Sequence, residues 1–223
     1  MDIPEGTQLA RLPIDVIYVT QGEYGSFTHY AGSNQELAID FAGWETGATT
    51  RLTRYPLYAP FDSEVISVYH EWAQVNWLNT VDVISVTGAV YPAGTIVYTM
   101  VHDYNYSRWS VGDTVSQGTL FHRTGNAGYS FNDHLHLQVI HASTHLWPTP
   151  ISNQISIYDF FDTSHCTVFN GYGYPWKTFD GDIPPWDPGD PGDPGDPGDD
   201  DDEYEDDDLI HLWLSDALNG WKY

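Results

Sequence analysis

The sequence predicts a mainly β protein, with an antiparallel β-sheet in a two-layer, groove-forming single domain. Segments rich in Val, Ile, Tyr and Thr recur along the chain. The stretches between them are rich in turn-forming residues, and the chain holds 20 glycines and 14 prolines. A hydrophobic fraction of 41%, with 15% aromatic residues, is typical of a folded protein that buries one core.

The strands are predicted from β-branched and apolar runs bounded by turn signals. Leu12–Thr20 is the first of them. The others, in chain order, are Leu37–Ala42, Glu64–His70, Asp82–Thr87, Ile96–His102, Leu120–Arg123 and His134–His141. A short helix is predicted at Ser152–Phe161, and aromatic residues continue as far as Phe179. We therefore predict one folded domain over residues 1–179.

The C-terminal part of the chain has a different composition. Residues 180–208 contain 15 acidic residues and no basic one, and they include four Asp-Pro-Gly triplets. Such a segment has little to bury and its charges repel, so it is predicted to be a disordered acidic linker or tether. Residues 209–223 are apolar again and have the pattern of a short amphipathic helix. They are either a docking segment for a partner protein or a loose tail.

Charge and composition exclude several classes of protein. The net charge is −25, and residues 1–179 keep 16 acidic against 6 basic residues, so nucleic acid is not an expected partner. No apolar run is long enough to span a membrane. Cys166 is the only cysteine, which excludes an internal disulfide framework and a CxxC zinc ribbon. The first residues lack the basic and apolar regions of a secretory signal, so none is predicted.

The pair His134 and His136 is the most informative local feature. Side chains in a strand alternate between faces, so both imidazoles share one face while Leu135 and Leu137 occupy the other. Two adjacent imidazoles suit a metal ion such as zinc. The spacing alone is weak evidence, because a chain with 10 histidines contains about half an H-x-H by chance.

Asp40 is the best upstream candidate for a further ligand. In the predicted strand it shares one face with Ala38 and Ala42. Burying a carboxylate there without a partner would cost several kcal/mol, and a cation would remove that cost. Taken alone, Asp40 is equally compatible with a carboxylate in a turn or at a strand edge.

Together these residues resemble the lysostaphin-type zinc endopeptidases, which cut peptide bonds in bacterial cell walls. The resemblance covers roughly residues 21–140. The resemblance rests on motifs that follow one another in the same order as in that family. They are His29 to Asp40, Tyr98–His102, Val111–Gly118, Thr124–Gly128 and Asp133–His136. In common members the Asp follows the first His more closely than here, and an inserted loop at 31–36 could absorb the difference.

The resemblance implies a site and a reaction. His29, Asp40 and His136 would bind one Zn²⁺ per chain, and His134 and His102 would be catalytic. Zinc would polarise the scissile carbonyl and lower the pKa of its bound water toward about 7. His134 would act as general base, and His102 would bind the water or the developing oxyanion. The residues alone leave open which histidine has which role.

The expected function is hydrolysis of bacterial peptidoglycan. The alternative is a catalytically inactive cell-wall-binding or virion structural module of the same fold. The lack of a signal peptide and the free cysteine favour a phage-encoded protein, either virion-associated or released from the host cytoplasm at lysis as an endolysin. A Cys/His amidase would place its cysteine before the catalytic histidine, and only His211 follows Cys166. Four further histidines are interpreted as structural or solvent-facing, and these are His70, His122, His165 and His211.

Overall fold

The computed structural model describes residues 3–25, 28–45, 48, 50–169 and 176. All of them belong to the first of two units of the chain, Met1–Trp186. The second unit, Asp187–Tyr223, lies outside the described residues, as do the predicted acidic linker and the predicted C-terminal helix. The predicted domain boundary near residue 180 therefore stays a prediction.

Within the described residues, short strands follow one another with few helical turns. The strands are β1 (Thr7–Leu9), β2 (Val16–Ile17), β3 (Val19–Gln21), β4 (Ile39–Phe41), β5 (Pro56–Tyr58), β6 (Ser63–Tyr69), β7 (Gln74–Asn79), β8 (Asp82–Ile84), β9 (Val90–Tyr91), β10 (Ile96–Val101), β11 (Thr114–Val115), β12 (Leu120–Arg123), β13 (Leu135–His141), β14 (Gln154–Ile155) and β15 (Thr167–Val168). The helical elements are 3₁₀ turns at His70–Trp72, Tyr106–Arg108 and Ile151–Asn153, and the α-helix α1 (Ile157–Phe160).

The main sheet has the strand order β11-β6-β7-β10-β13-β4-β3, with β14 also paired to β13. All of its neighbouring strands run antiparallel. Smaller sheets join β1, β8 and β9, then β12 and β5, then β15 and β2. The prediction of a mainly β, antiparallel protein is confirmed, with two short parallel pairs, β1–β8 and β15–β2, in addition.

One face of the main sheet packs into the hydrophobic core. Leu135, Leu137 and Val139 alternate along β13 and are buried, as their period of two predicts. A second layer covers this face: the Phe121 ring of β12 lies 5.2 Å from the Trp77 ring of β7, measured between ring centroids. Packing against this core therefore fixes the position and direction of the central strands, which include β7 and β13.

The opposite face of the same sheet carries polar side chains. His136 of β13 lies directly opposite Asp40 of β4 and Val101 of β10. Residues that are directly opposite on antiparallel strands point to the same face with close Cβ atoms. The strand register thus brings an imidazole and a carboxylate together on the face away from the core.

Three predicted elements differ from the structure. The predicted strand Leu12–Thr20 is divided into β2 and β3, and β13 begins at Leu135 because His134 forms an isolated bridge to Gly125 instead. The predicted helix Ser152–Phe161 was wrong for its first half. Ser152 and Asn153 belong to a 3₁₀ turn, pairing of β14 to β13 makes Gln154 and Ile155 extended, and only the four residues of α1 are α-helical.

Strand β7 was missed in the sequence because it contains two Asn residues, and Asn is depleted in strands. The structure supplies the reason that they are tolerated. Asn76 is fully buried, accepts a hydrogen bond from Thr99 Oγ1 at 2.6 Å and donates one to Ser67 Oγ at 2.9 Å. These partners lie on neighbouring strands, so the local sequence gives no sign of them.

Two leucines test the assignment of the core face. Leu137 is 0% exposed and Leu120 is 47% exposed, and both lie in strands. We expect Leu137→Ala to lower the free energy of unfolding by about 2–5 kcal/mol, because it leaves a cavity, and Leu120→Ala to lower it by less than about 1 kcal/mol. Urea denaturation of both variants measures the difference. Equal losses would contradict the assignment.

Candidate metal centre

Three side chains from distant parts of the chain meet on the polar face of the main sheet. Asp40 lies in β4, His136 in β13, and His29 in the loop between β3 and β4. One ligand atom of each lies within 4.8 Å of the others, and all three residues are buried. The structure therefore brings together the three residues that the sequence proposed as metal ligands, and their role as ligands stays a prediction.

The spacing of the donor atoms fits a small tetrahedral ion. His136 Nδ1 lies 2.9 Å from Asp40 Oδ1 and 3.2 Å from His29 Nε2, and His29 Nε2 lies 3.5 Å from Asp40 Oδ1. Donor atoms about 2.0–2.1 Å from a tetrahedrally coordinated zinc ion lie about 3.3 Å from one another. The three atoms thus already have the separation that one such ion requires.

Hydrogen bonds to backbone carbonyls fix which ring nitrogen points into the site. His29 Nδ1 lies 3.2 Å from the carbonyl of Gly22, and His102 Nδ1 lies 2.9 Å from that of Ala127. A carbonyl only accepts, so each Nδ1 carries the hydrogen and each neutral ring keeps a lone pair on Nε2. Such a bond behind the ring is the usual way in which proteins orient a metal-binding histidine.

The protonation states at neutral pH also suit a cation. Burial lowers the pKa of His29 to about 4, although Asp40 opposes the shift, so the ring is neutral at pH 7. Burial acts to raise the pKa of Asp40, but attraction to His29 and His134 and the hydrogen bond from His136 outweigh it and hold the pKa below its usual range. Neutral imidazoles and an ionised carboxylate are the forms that bind metals.

The two proposed catalytic histidines stand beside this cluster. His134 Nε2 lies 3.8 Å from Asp40 Oδ2, and His134 Nδ1 lies 2.9 Å from the carbonyl of Asn132. The ring of His102 lies 4.7 Å from that of His134, centroid to centroid. Burial lowers the pKa of His102 to about 3, so it too is neutral at pH 7. All five proposed site residues therefore share one site.

A buried glutamate anchors the loop that supplies His29. Glu23 follows Gly22, and its carboxylate accepts a hydrogen bond from the Ile157 N–H at 2.5 Å and one from Ser156 Oγ at 3.0 Å. The contact joins the β3–β4 loop to the first turn of α1. Neither residue was singled out in the sequence, because Glu23 acts through a contact with residues more than 130 positions away and Gly22 acts through its backbone carbonyl.

Solved structures of metallopeptidases are similar to this chain. They include the M23 metalloprotease pseudoalterin from the deep sea, with a TM-score of 0.43, 17% identity, and coverage of 67% of this chain and 75% of that one. Lysostaphin from Staphylococcus simulans has a TM-score of 0.39, 19% identity, and coverage of 62% and 47%. Lysostaphin itself belongs to the family that the sequence motifs resemble. Likeness at this level identifies neither a substrate nor a metal.

A sequence relative comes from a bacteriophage. Morphogenesis protein 1 of Bacillus phage B103 is 36% identical over 222 residues, which cover 97% of this chain and 55% of that protein. The chain therefore spans about half the length of this relative. The relative agrees with the predicted phage context. No family profile matches the sequence, and no helix among the described residues is long and apolar enough to cross a membrane.

Metal binding can be measured directly on the purified protein. We expect one equivalent of Zn²⁺ to bind and to raise the unfolding temperature, because an ion at 100 times its Kd stabilises a folded protein by about 2.7 kcal/mol. Asp40→Ala and His136→Ala should abolish the binding, whereas His141→Gln, at the exposed end of the same strand, should keep it. Full zinc stoichiometry in both alanine variants would refute the assignment.

The anchor at Glu23 predicts a pH dependence of stability. Burial raises the pKa of Glu23 from 4.5 to about 7, although the hydrogen bonds from Ser156 and Ile157 oppose the shift. Between these values the folded state holds a proton that the unfolded state has released, so the free energy of unfolding falls as the pH rises from about 4.5 to about 7.

Glu23→Gln is neutral at every pH and serves as the reference. We expect the stability of the metal-free wild type, relative to this variant, to fall by on the order of 2 kcal/mol across that interval. Urea denaturation at several pH values measures it. Parallel stability curves for the two proteins would contradict the shift.

Proposed function

We propose that this chain is a zinc-dependent endopeptidase that hydrolyses peptide bonds of bacterial peptidoglycan. The observation that supports it most is the convergence of His29, Asp40 and His136 at tetrahedral donor spacing, with His134 and His102 directly beside them. Catalytic zinc sites typically use three protein ligands and keep one position open. Two imidazoles and one carboxylate form a donor set that suits zinc.

His134 is the better placed of the two histidines to act as general base. A bound zinc ion supplies Lewis acidity toward a carbonyl oxygen and toward water. As the water oxygen bonds to the carbonyl carbon, one water proton passes to the lone pair on His134 Nε2. The carboxylate of Asp40, 3.8 Å away, offsets part of the repulsion between the ion and the imidazolium so formed. When the C–N bond breaks, the same nitrogen returns the proton to the leaving amine.

His102 orients the attacking water in this scheme. Its Nδ1–H is held by the carbonyl of Ala127, so Nε2 presents a lone pair and accepts a hydrogen bond from the water. The low pKa of His102 keeps it neutral while His134 carries the proton. The structure therefore favours different roles for two histidines that the sequence left interchangeable.

The biological setting belongs to the proposal as well. The phage relative supports a phage origin. We propose that the enzyme acts on the wall of the bacterial host, either in the virion or after release at lysis. We propose peptidoglycan as its substrate. Residues 209–223, which lie outside the described residues, are proposed to bind a virion or tail protein.

Hydrolysis is tested with purified Bacillus peptidoglycan, chosen because the relative belongs to a Bacillus phage. The zinc-loaded protein should release new amino groups and no reducing sugar, and a chelator should stop the release. His134→Ala should bind zinc normally and lose activity about 10²–10⁴-fold, because it lacks the general base. His141→Gln is the matched histidine control and should remain active.

Three outcomes would contradict the proposal. Release of reducing sugar would indicate a glycosidase. Normal turnover by His134→Ala would remove its role as base. Tight binding to the wall without any bond cleavage by the zinc-loaded wild type would favour the alternative, an inactive cell-wall-binding or virion structural module.

A further inference from the structure

A buried histidine–aspartate pair lies directly behind His102 and has no part in the proposed chemistry. Asp103 follows His102 in the chain, and His122 lies in β12 on the core side. Both side chains are almost completely buried, and His122 Nδ1 is hydrogen-bonded to Asp103 Oδ2. Buried polar pairs are costly to keep unless their hydrogen bonds are satisfied, so the role of this pair needs a separate explanation.

A tryptophan sets the tautomer of His122. The indole Nε1–H of Trp77 can only donate, and it lies 3.1 Å from His122 Nε2. His122 Nε2 is therefore the acceptor, and the hydrogen of the neutral ring is on Nδ1, where it is donated to Asp103. Burial favours the same neutral form because it lowers the pKa of His122.

Asp103 connects His122 to the backbone by hydrogen bonds. Its second oxygen, Oδ1, accepts hydrogen bonds from the Asn105 N–H at 3.0 Å and from the Arg123 N–H at 3.3 Å. One carboxylate thus ties the turn after β10 to the strand that carries His122. Three donors satisfy its charge, which is how a carboxylate is stabilised in a protein interior.

The turn held in this way includes His102 itself. His102 has a φ of +73°, a conformation that side-chain-bearing residues rarely adopt and that neighbouring structure must maintain. Gly125 packs against the other side of the turn, and a Cβ at that position would collide with the backbone at His102 and Tyr104. With the turn fixed from both sides, the His102 ring faces that of His134.

We propose that Trp77, His122 and Asp103 form a positioning relay that holds His102 in its catalytic orientation. Within the described residues, the hydrogen bonds and ring contacts of Trp77, His122 and Asp103 involve neither the three metal ligands nor His134, so the relay acts through the backbone of His102. This inference rests on the proposed function for its catalytic consequence. Its structural part, the tautomer of His122 and its effect on His102, stands on the hydrogen bonds alone.

Two substitutions at one position separate positioning from core filling. His122→Leu removes both hydrogen bonds and keeps an apolar side chain, whereas His122→Gln keeps one donor and one acceptor. We expect His122→Leu to lower kcat by about 10-fold or more, since small displacements of catalytic groups are costly, with KM and zinc affinity changed less than about 3-fold. His122→Gln should recover a large part of kcat. Wild-type kcat in folded His122→Leu would overturn the proposal.

Asp103→Asn is a second variant of nearly identical shape. In one orientation its amide nitrogen would meet His122 Nδ1–H, and in the other it would meet the N–H groups of Asn105 and Arg123, so two donors face each other either way. Turning the histidine tautomer over would oppose the Trp77 N–H. We expect the same fall in kcat with zinc binding retained. A normal kcat in this variant would also overturn the relay, even if His122→Leu failed to fold.

A measurement without substrate keeps the two proposals distinct. In ¹⁵N NMR of the wild type at neutral pH, His122 should show a protonated Nδ1 and an unprotonated Nε2. In Asp103→Asn, the resonances of His102 should shift while those of His29 stay in place. A His122 protonated on Nε2, or His102 resonances unmoved in that variant, would refute the relay. Failure of the wild type to cleave any wall substrate would refute only the proposed function.

Discussion

The burial of one carboxylate, Asp40, organises the whole site. An ionised carboxylate on the face of a sheet needs compensation for its lost hydration. Among the described residues, the ion-pair partners of Asp40 are all histidines, which are His29, His134 and His136. Of these rings, His29 is neutral at pH 7 because burial lowers its pKa to about 4, so it gives Asp40 no full positive charge at that pH. A cation held between the carboxylate and two of the rings completes the compensation, which is why the cluster is best explained as a metal site.

The site combines rigid strands with loops that are held from behind. Asp40 and His136 are fixed by the register of β4 and β13, which the core on the other face determines. His29 and His102 come from loops, and each is oriented by a backbone carbonyl that holds its Nδ1–H. The loops are secured in turn, by Glu23 on one side and by Asp103 on the other. The orientation of His29 and His102 therefore depends on buried hydrogen bonds in their loops rather than on apolar packing.

The sequence predicted those parts of the structure that depend on local periodicity. Leu135, Leu137 and His136 could be assigned to opposite faces of one strand because side chains alternate along a strand. His29 and His102 were identified by resemblance, since nothing in their neighbouring residues shows which way a loop histidine points. Their positions depend on the carbonyls of Gly22 and Ala127, and a carbonyl has no signature in the sequence.

Other features could not be read because their stabilising partners are far away in the chain. His122 was interpreted as structural or solvent-facing. It is fully buried, and its partners Trp77 and Asp103 lie 45 and 19 residues away. The burial of Asn76 in β7 could not be predicted for the same reason, because Thr99 donates a hydrogen bond to it from a neighbouring strand. Buried polar residues are predictable only when their partners are known.

X-ray absorption at the zinc edge of the metal-loaded protein tests the central claim most directly, because it reports the atoms around the ion. The site described here should give two imidazole nitrogens and carboxylate or water oxygens, four ligands in all at about 2.0–2.2 Å, and no sulfur. A spectrum with a sulfur ligand, with fewer than two imidazoles, or with an octahedral shell of oxygens would contradict the account, because His29, Asp40 and His136 would then not hold the ion together.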